Sequence, residues 1–312
     1  MMLQVKETRV SKMLANPWVI YSYLTARGAF HWVPDALHCS LLYHAALGRW
    51  PDLRNPRTFN EKLQWLKLHD RNPLYNTLVD KYAVKEWVAE RIGPEYVART
   101  YAVWERAEDI DISGLPEKFV LKTNHDCGGV AVCRDRALFD LEVARRKLAR
   151  RLGTNYYWGG REWPYKDVKP LIFAEEYLDP GESDDLTDYK LMCFSEKVRC
   201  SFTCTSRAKG DLRVDFFDIE WKHLPFTRHY PNADVAPSRP ENYGEMVRAA
   251  EMLSTGIPFV RVDFYEAGGR PYFGEMTLYP GSGFEEFDPP EWDERLGSWI
   301  ELPEGVGGAN RK

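Results

Sequence analysis

Near the carboxyl end two alternating apolar runs, Phe259 to Tyr265 and Pro271 to Leu278, meet around Gly268-Gly269. Such a pattern closes an antiparallel hairpin, because paired glycines supply the positive φ angles that a tight turn between strands requires. A turn centred on Gly269 sets Asp263 opposite Glu275 and Arg261 opposite Thr277, and alternation puts all four side chains on one face. Carboxylates about 5 Å apart repel, so this face needs a proton or a cation. A hard divalent ion such as Mg²⁺ meets the need, since one or two carboxylates suffice and its other positions go to water and phosphate oxygens. Two competing readings stay open: Arg261 neutralises the pair, or the register slips by one residue and parts it.

The 312-residue chain carries 42 Lys+Arg against 47 Asp+Glu, a formal charge of −5, with no long basic block. That argues against a nucleic-acid partner, whose affinity would rest on neutralised phosphates. With 44% apolar residues the chain can bury a substantial core and is neither disordered nor a disulfide scaffold. Every apolar run is broken before the roughly 18 residues of a membrane span, so the protein is expected not to be integral to a membrane. Lys6, Arg9 and Lys12 ahead of Trp18 to Leu24 loosely imitate a signal peptide, but Asn16, Pro17 and Ser22 interrupt the apolar core and no small-residue cleavage site follows. The expected location is the cytoplasm. The six cysteines form no C-x-x-C pair and are expected to be reduced and buried.

Prolines at 17, 34, 51 and 56 divide the first 57 residues into short helices. Thr58-Phe-Asn-Glu61 is a capping box, so a helix begins there with Phe59, Leu63 and Leu66 on its apolar face and fades between Asp70 and Pro73. A second helix, capped by Asp80, runs through Val84, Trp87, Val88 and Ile92 to Gly93-Pro94. Strands at 118–123 and 130–133 then flank the loop Asn124-His-Asp-Cys-Gly-Gly129. Asp140 caps a helix with Leu141, Ala144, Leu148 and Leu152 on one face and Arg145, Arg146, Arg150 and Arg151 on a solvated outer face. An aromatic loop, Tyr156, Tyr157, Trp158, Trp163 and Tyr165, is either a lid or sugar platform or a cluster packed on a helix. Strands at 171–178, 188–194, 197–205 and 212–221 and a helix at 242–254 lead to the final hairpin, and Gly305 to Lys312 reads as a frayed tail.

Lys122 at a strand end ahead of Gly128-Gly129 offers a phosphate group a point charge and close backbone amides, although the spacing is not that of a P-loop. His125 and Cys127 have the chemistry of a nucleophile pair, but two residues apart on a loop they need not face each other. H-E-x-x-H, G-x-S-x-G and G-x-G-x-x-G are all absent.

Taken in order, Asp80-Lys81, Phe119-Val-Leu-Lys122, Phe173-Ala-Glu-Glu-Tyr-Leu178, Val260-Arg-Val-Asp-Phe-Tyr265 and Tyr272-Phe-Gly-Glu-Met-Thr277 resemble the ATP-grasp superfamily. Pro56-Arg-Thr-Phe-Asn-Glu-Lys-Leu-Gln-Trp65 and Tyr279-Pro-Gly-Ser-Gly-Phe284 further resemble its TupA-like branch, associated with teichuronopeptide and capsular polysaccharide biosynthesis. The likeness extends over roughly residues 55 to 303.

The resemblance implies an α+β fold in which two lobes sandwich ATP. A helical N-terminal segment (1–78) precedes a small lobe (79–170) with the Gly-containing phosphate loop and a large lobe (171–312) with the hinge and the metal hairpin. It implies phosphate contacts from Lys81, Lys122, Gly128 and Gly129, an adenine hinge at Glu175, Glu176, Tyr177 and Leu178, and ribose contacts from Asp188 or Asp185. Asp263 and Glu275 match the Mg²⁺ carboxylates, and Thr277 stands where the family usually has an Asn ligand. Arg261 matches the arginine that stabilises charge on the transferring phosphoryl group, which Lys122 also helps to neutralise; the residues Gly281-Ser-Gly283 read either as a nest of amides with Ser282 contacting the substrate acyl group or carboxylate, or as a tight turn that ends the strand. A shorter helical segment replaces the usual N-terminal α/β lobe. The implied activity is an ATP-dependent carboxylate–amine ligase that forms an amide through an acyl phosphate, joining an amino acid to a uronic acid or amino acid on a cell-envelope glycan precursor. The alternatives are a nucleotide-sugar glycosyltransferase, using Asp184-Asp185 and Asp215 to Asp218 as metal sites, and a nucleotide-binding scaffold without turnover.

Overall fold

The computed structural model describes residues 17–25, 28–181, 186–205 and 210–303. The basic residues at 6–12, Asp184, Asp185 and the tail from Gly305 lie outside these ranges. Helices α1 (Pro17–Thr25) and α2 (Asp35–Leu47) come first, as the prolines predict. The capping box forms: Thr58 Oγ1 accepts from the Glu61 amide at 3.2 Å, and the Glu61 carboxylate accepts from the Thr58 amide at 3.1 Å. It starts α3 (Phe59–His69), which buries Phe59, Leu63 and Leu66. A short α4 (Leu74–Val79) follows, then α5 (Val84–Ile92), which stops at Gly93 with φ +112°. Asp80 accepts from the amides of Tyr82 and Ala83, so it secures the turn ahead of α5 rather than its first residue.

Strands β1 (Thr100–Trp104), β2 (Phe119–Thr123), β3 (Val130–Cys133) and β4 (Ile172–Glu176) make an antiparallel sheet in the order β1-β4-β2-β3. Helix α6 (Leu141–Leu152), capped by Asp140 through the Val143 amide, lays Ala144 and Leu148 on this sheet against Phe119, Leu121, Ile172 and Ala174. The sequence pattern did not predict β1. It also grouped β4 with the later strands, whereas β4 pairs with β1 and β2, so the first sheet extends past the 170/171 lobe boundary.

After the one-turn α7 (Tyr157–Gly160) come β5 (Asp188–Phe194), β6 (Lys197–Thr205), β7 (Arg213–Asp218), the two-residue β8 (Thr227–Arg228), α8 (Tyr243–Leu253), β9 (Phe259–Ala267) and β10 (Arg270–Thr277). Five of these strands form a second antiparallel sheet in the order β10-β9-β5-β6-β7. Strand β11 (Phe287–Asp288) pairs with β8, and α9 (Glu291–Ser298) closes the described chain. One large core unites this sheet with α3, α4, α5, α8 and α9, so the three helices between residues 59 and 92 are built into the second sheet's core. Among the described residues, no helix is long and apolar enough to cross a membrane.

Helix α9 crosses the start of α3 at Gly297. A Cβ there would stand 2.2 Å from the Arg57 carbonyl oxygen and 2.6 Å from the Phe59 amide nitrogen, and backbone cannot yield as a flexible side chain does. Gly297→Ala is therefore expected to destabilise the fold by about 2–3 kcal/mol, lowering Tm by roughly 4–10 °C in a thermal melt. Gly244→Ala in α8, where a Cβ would meet only the Arg248 guanidinium at 3.8 Å, is the control and should leave Tm unchanged or raise it.

Candidate active site

The hairpin reaches its predicted pairing by a route that the sequence reading did not foresee. Gly268 and Gly269, at φ +57° and +75°, form a two-residue turn, and Arg270 to Phe273 pair with Ala267 to Phe264. Continued without interruption, that ladder would set Glu275 opposite Val262. Gly274 instead forms a bulge that absorbs one residue, after which Glu275 pairs with Asp263 and Thr277 with Arg261. A side chain at the bulge would crowd the Tyr265 ring at 3.0 Å and the Asp263 carbonyl at 3.2 Å.

A dense set of charges surrounds the two carboxylates. Arg261 grips both oxygens of Asp263, at 2.6 and 2.7 Å, and reaches Glu275 at 2.9 Å. Lys190, opposite Asp263 on β5, also bonds it and stands 3.5 Å from Asp188. Lys81 lies 3.3 Å from Glu275 and donates to the Asp126 carbonyl at 2.5 Å. On the first sheet, Lys122 and Lys85 both pair with Glu175, the latter at 2.7 Å. Burial would raise the Glu275 carboxyl, but Lys81, Arg261 and Lys190 outweigh it and hold the group well below the usual range. Glu175 behaves likewise: burial pushes it up, while Lys122 and Lys85 bring it down. Burial would lower the Lys190 ammonium, and Asp263 keeps it raised instead.

Between the two sheets lies a cavity of about 420 Å³, large enough for a cofactor-sized ligand. Lys81, Lys122, Gly128, Gly129, Glu175, Asp188, Arg261 and Glu275 line it. Asp263, 1% exposed, is covered by its partners Arg261 and Lys190. Glu176, Tyr177, Leu178, Thr277 and Ser282 lie outside the lining. Glu176 instead accepts from the Arg99 amide at 3.2 Å. Gly129 has no room for a side chain, because a Cβ would overlap Thr123 Oγ1, and that hydroxyl donates to the Asp126 carboxylate. His125 is tied to Thr154 and Asn124, at 3.1 and 3.2 Å, and does not engage Cys127. Asp215 is held by His223 and Ala233, and Asp218 by the amides of Glu220 and Lys222, so both serve local turns.

Behind the cavity, Pro280 to Gly283 form a tight turn in which Gly281, Ser282 and Gly283 all take positive φ, between +52° and +66°. Helix α3 secures it with Asn60, Gln64 and Lys67, all fully buried. Asn60 donates to the Glu285 carbonyl at 2.8 Å, and Gln64 to those of Ser282 and Gly283, each at 2.9 Å. Lys67 donates to Ser282 and Gly160, also at 2.9 Å each. Ser282 Oγ donates to Glu162, a buried carboxyl raised by desolvation. Sequence reasoning missed this donor strip as well as Lys85, Lys190 and Glu162. The signal for the strip was polar residues at i, i+4 and i+7 of one helix, a spacing that ordinarily marks a solvated face.

The model of the TupA-like ATPgrasp family matches residues 61–301. The chain belongs to that family. Family membership makes it an ATP-grasp enzyme. Among curated proteins, no relative matches the sequence. The chain is similar to the crystal structure of D-alanine–D-alanine ligase from Helicobacter pylori, at 15% identity and TM-score 0.43, over 78% of this chain and 69% of that one. It is also similar to D-cycloserine synthetase DcsG, at 18% identity and TM-score 0.41, over 73% and 72% of the two chains. N5-carboxyaminoimidazole ribonucleotide synthetase from Thermus thermophilus matches at 15% identity and TM-score 0.38, over 77% of this chain and 52% of its own.

The donor set suits Mg²⁺. Among the described residues, no group of three or more His, Cys, Asp or Glu could hold a metal ion unaided, whereas Asp263 and Glu275 face each other across one rung. An ion that takes one or two carboxylates and fills its other positions with water and phosphate fits that supply, and an all-protein cage is excluded there.

Glu175 gives a pH test. Its folded-state pKa is depressed, so its contribution to stability is present above the unfolded carboxyl range and lost as pH falls through the folded value. The Tm difference between wild type and Glu175→Gln is expected to be largest above about pH 5 and to narrow below about pH 4. A gap that does not change with pH in thermal melts would remove the ion-pair assignment.

Proposed function

We propose that this ATP-grasp family member is an ATP-dependent carboxylate–amine ligase. The observation that carries the reading is the convergence of Lys81, Lys122, Lys190 and Arg261 with the Asp263–Glu275 pair at one cavity between two sheets. A substrate carboxylate attacks the γ-phosphorus of ATP, releasing ADP and forming an acyl phosphate. An amine then displaces phosphate to leave an amide. Neither step needs covalent chemistry on the protein, so catalysis is positioning and charge neutralisation.

In this reading Lys81 and Lys122 hold phosphate oxygens beside the amides of Gly128 and Gly129, and Asp188 takes the ribose hydroxyls. The adenine lies toward Glu175 and the Glu176-Tyr177-Leu178 segment. Arg261 neutralises charge on the transferring phosphoryl group. Asp263 and Glu275, with Thr277 as a weaker oxygen donor, would hold Mg²⁺, which when bound supplies further neutralisation of the phosphates. The turn at Ser282 faces the acyl group. Of the helical segment, small lobe and large lobe read as 1–78, 79–170 and 171–312, we move the last boundary past β4, which pairs into the first sheet. The proposed role is to join an amino acid to a uronic acid or amino acid during cell-envelope polysaccharide biosynthesis, in the cytoplasm where ATP is supplied.

The test is ADP and phosphate release with Mg²⁺ and ATP across a panel of amino acids and uronic acids, with the amide product identified by mass spectrometry. Asp263→Asn and Lys122→Ala are each expected to lower turnover by about a hundredfold or more while the fold persists by circular dichroism. Undiminished turnover in both variants would refute the site. ATP binding with no turnover across the panel would favour the scaffold reading.

A further inference from the structure

The two ends of the cavity differ in chemistry. Toward the first sheet the cavity is lined by Lys81, Lys122 and the glycine loop, while on the second sheet Lys190 of β5 stands directly opposite Phe202 of β6. Beyond Arg261, whose guanidinium lies 5.7 Å from the Phe202 ring centroid, the floor is apolar, made of Phe202, Leu212, Val214 and Phe216. Arg228 and Glu285 also line the cavity, and Arg228 stands two residues after Phe226, whose ring centroid lies 4.4 Å from that of Phe216. No role assigned above falls on these residues.

Arg228 is held in place within the fold. Its side chain is 3% exposed, and its guanidinium carbon lies 5.4 Å from the ring centroids of both Phe59 and Phe287. Nη2 makes both of its polar contacts, with the Pro280 carbonyl at 2.8 Å and with Glu285 at 3.0 Å. Nε has no hydrogen-bond partner among the described residues. A buried donor left unmatched costs about 1–3 kcal/mol. Glu285, with 27% of its side chain exposed, is the more accessible member of the pair.

We propose that this end of the cavity is the subsite of the amine substrate, and that the substrate is an α-amino acid with an apolar side chain. Its carboxylate lies on Arg228, its amine toward Glu285 and its side chain over the apolar floor. The proposal rests on the ligase reading and narrows its second substrate. A zwitterion inserts into the Arg228–Glu285 pair with no change in net charge. A plain carboxylate would leave Glu285 without its cation, a plain amine would do the same to Arg228, and an unpaired charge in a buried setting is expensive. The hydroxyl groups of a uronic acid would lie on the apolar floor without partners, which disfavours it at this end.

The test is a calorimetric titration of the full chain with Mg²⁺ and a non-hydrolysable ATP analogue present. The probes are leucine, phenylalanine and valine, with leucinamide, 4-methylpentanoate and glucuronate as comparisons. At least one of the three amino acids should bind. Removing the carboxylate or the amine from leucine should weaken binding about tenfold or more. Glu285→Gln should weaken amino-acid binding about tenfold while affinity for the ATP analogue stays within about twofold. Arg228→Met tests the other partner, and Glu285→Gln carries the test if loss of the Pro280 contact unfolds that variant. Failure of all three amino acids to bind, leucinamide matching leucine, glucuronate binding most tightly, or no effect of Glu285→Gln would each overturn the subsite. ADP formation is read separately: an amino acid that binds without turnover for any carboxylate overturns the ligase reading and supports the subsite.

Discussion

Two like charges can share a buried strand face only if cations are supplied to them, and Arg261 is the cation on which this arrangement turns. It lies on the same strand as Asp263 and spans to Glu275 across the hairpin. Because β9 lies between β10 and β5, Asp263 also draws Lys190 from the neighbouring strand. Lys81 extends the network between the sheets, touching Glu275 on the hairpin and the Asp126 carbonyl in the glycine loop of the first sheet. Removing one member would strand its partners in a poorly solvated place, a larger penalty than the worth of any single pair.

The donor strip on α3 explains why the N-terminal helices are part of the working fold. Ser282 has a left-handed backbone conformation that L residues adopt at a cost of about 1 kcal/mol or more. Such strain persists where the surroundings over-determine it, and here Gln64 and Lys67 hold the Ser282 and Gly283 carbonyls toward α3. Lys67 also holds Gly160, so a single ammonium ties the aromatic loop to the turn that follows the β9–β10 hairpin. Burial lowers the pKa of that ammonium, and the cost of burying it is offset by directed bonds to two carbonyls.

Much of this was legible in the sequence wherever local chemistry sets the structure. The capping box at Thr58 forms as read, as do the helix stop at Gly93 and the cap at Asp140, because each depends only on residues within a turn of one another. The Asp263–Glu275 pairing was also legible, although the expected turn was displaced and the Gly274 bulge compensated for it. A bulge and a shifted turn give the same final register, so alternation alone could not tell them apart. What escaped was long-range. Strand β1 gave no distinct signal within its five residues, Thr100–Trp104, and is defined by pairing with β4 far along the chain. Asn60, Gln64 and Lys67 went unnoticed because their carbonyl partners lie more than 90 residues away. Lys85 and Lys190 gain meaning only once Glu175 and Asp263 are set beside them in space.

The charge pattern also bears on how such a cavity can serve a triphosphate. Taking both members of a pair out of water offsets much of their mutual attraction, so the buried pairs lining the cavity are weak evidence of net stabilisation even though breaking one is costly. As pre-oriented cations they count for more, because side chains already fixed by neighbouring carboxylates need little rearrangement when a polyanion takes up part of their charge. In the proposed complex the same transfer would loosen the hold of Lys81 and Arg261 on Glu275 and Asp263 and free two hard oxygen donors. On that proposal, affinity for a divalent cation would be tied to affinity for phosphate, because both would depend on what Arg261 and the lysines are bound to. Two carboxylates that would be a folding liability on any other hairpin are thereby held close together, with Arg261 bonded to both.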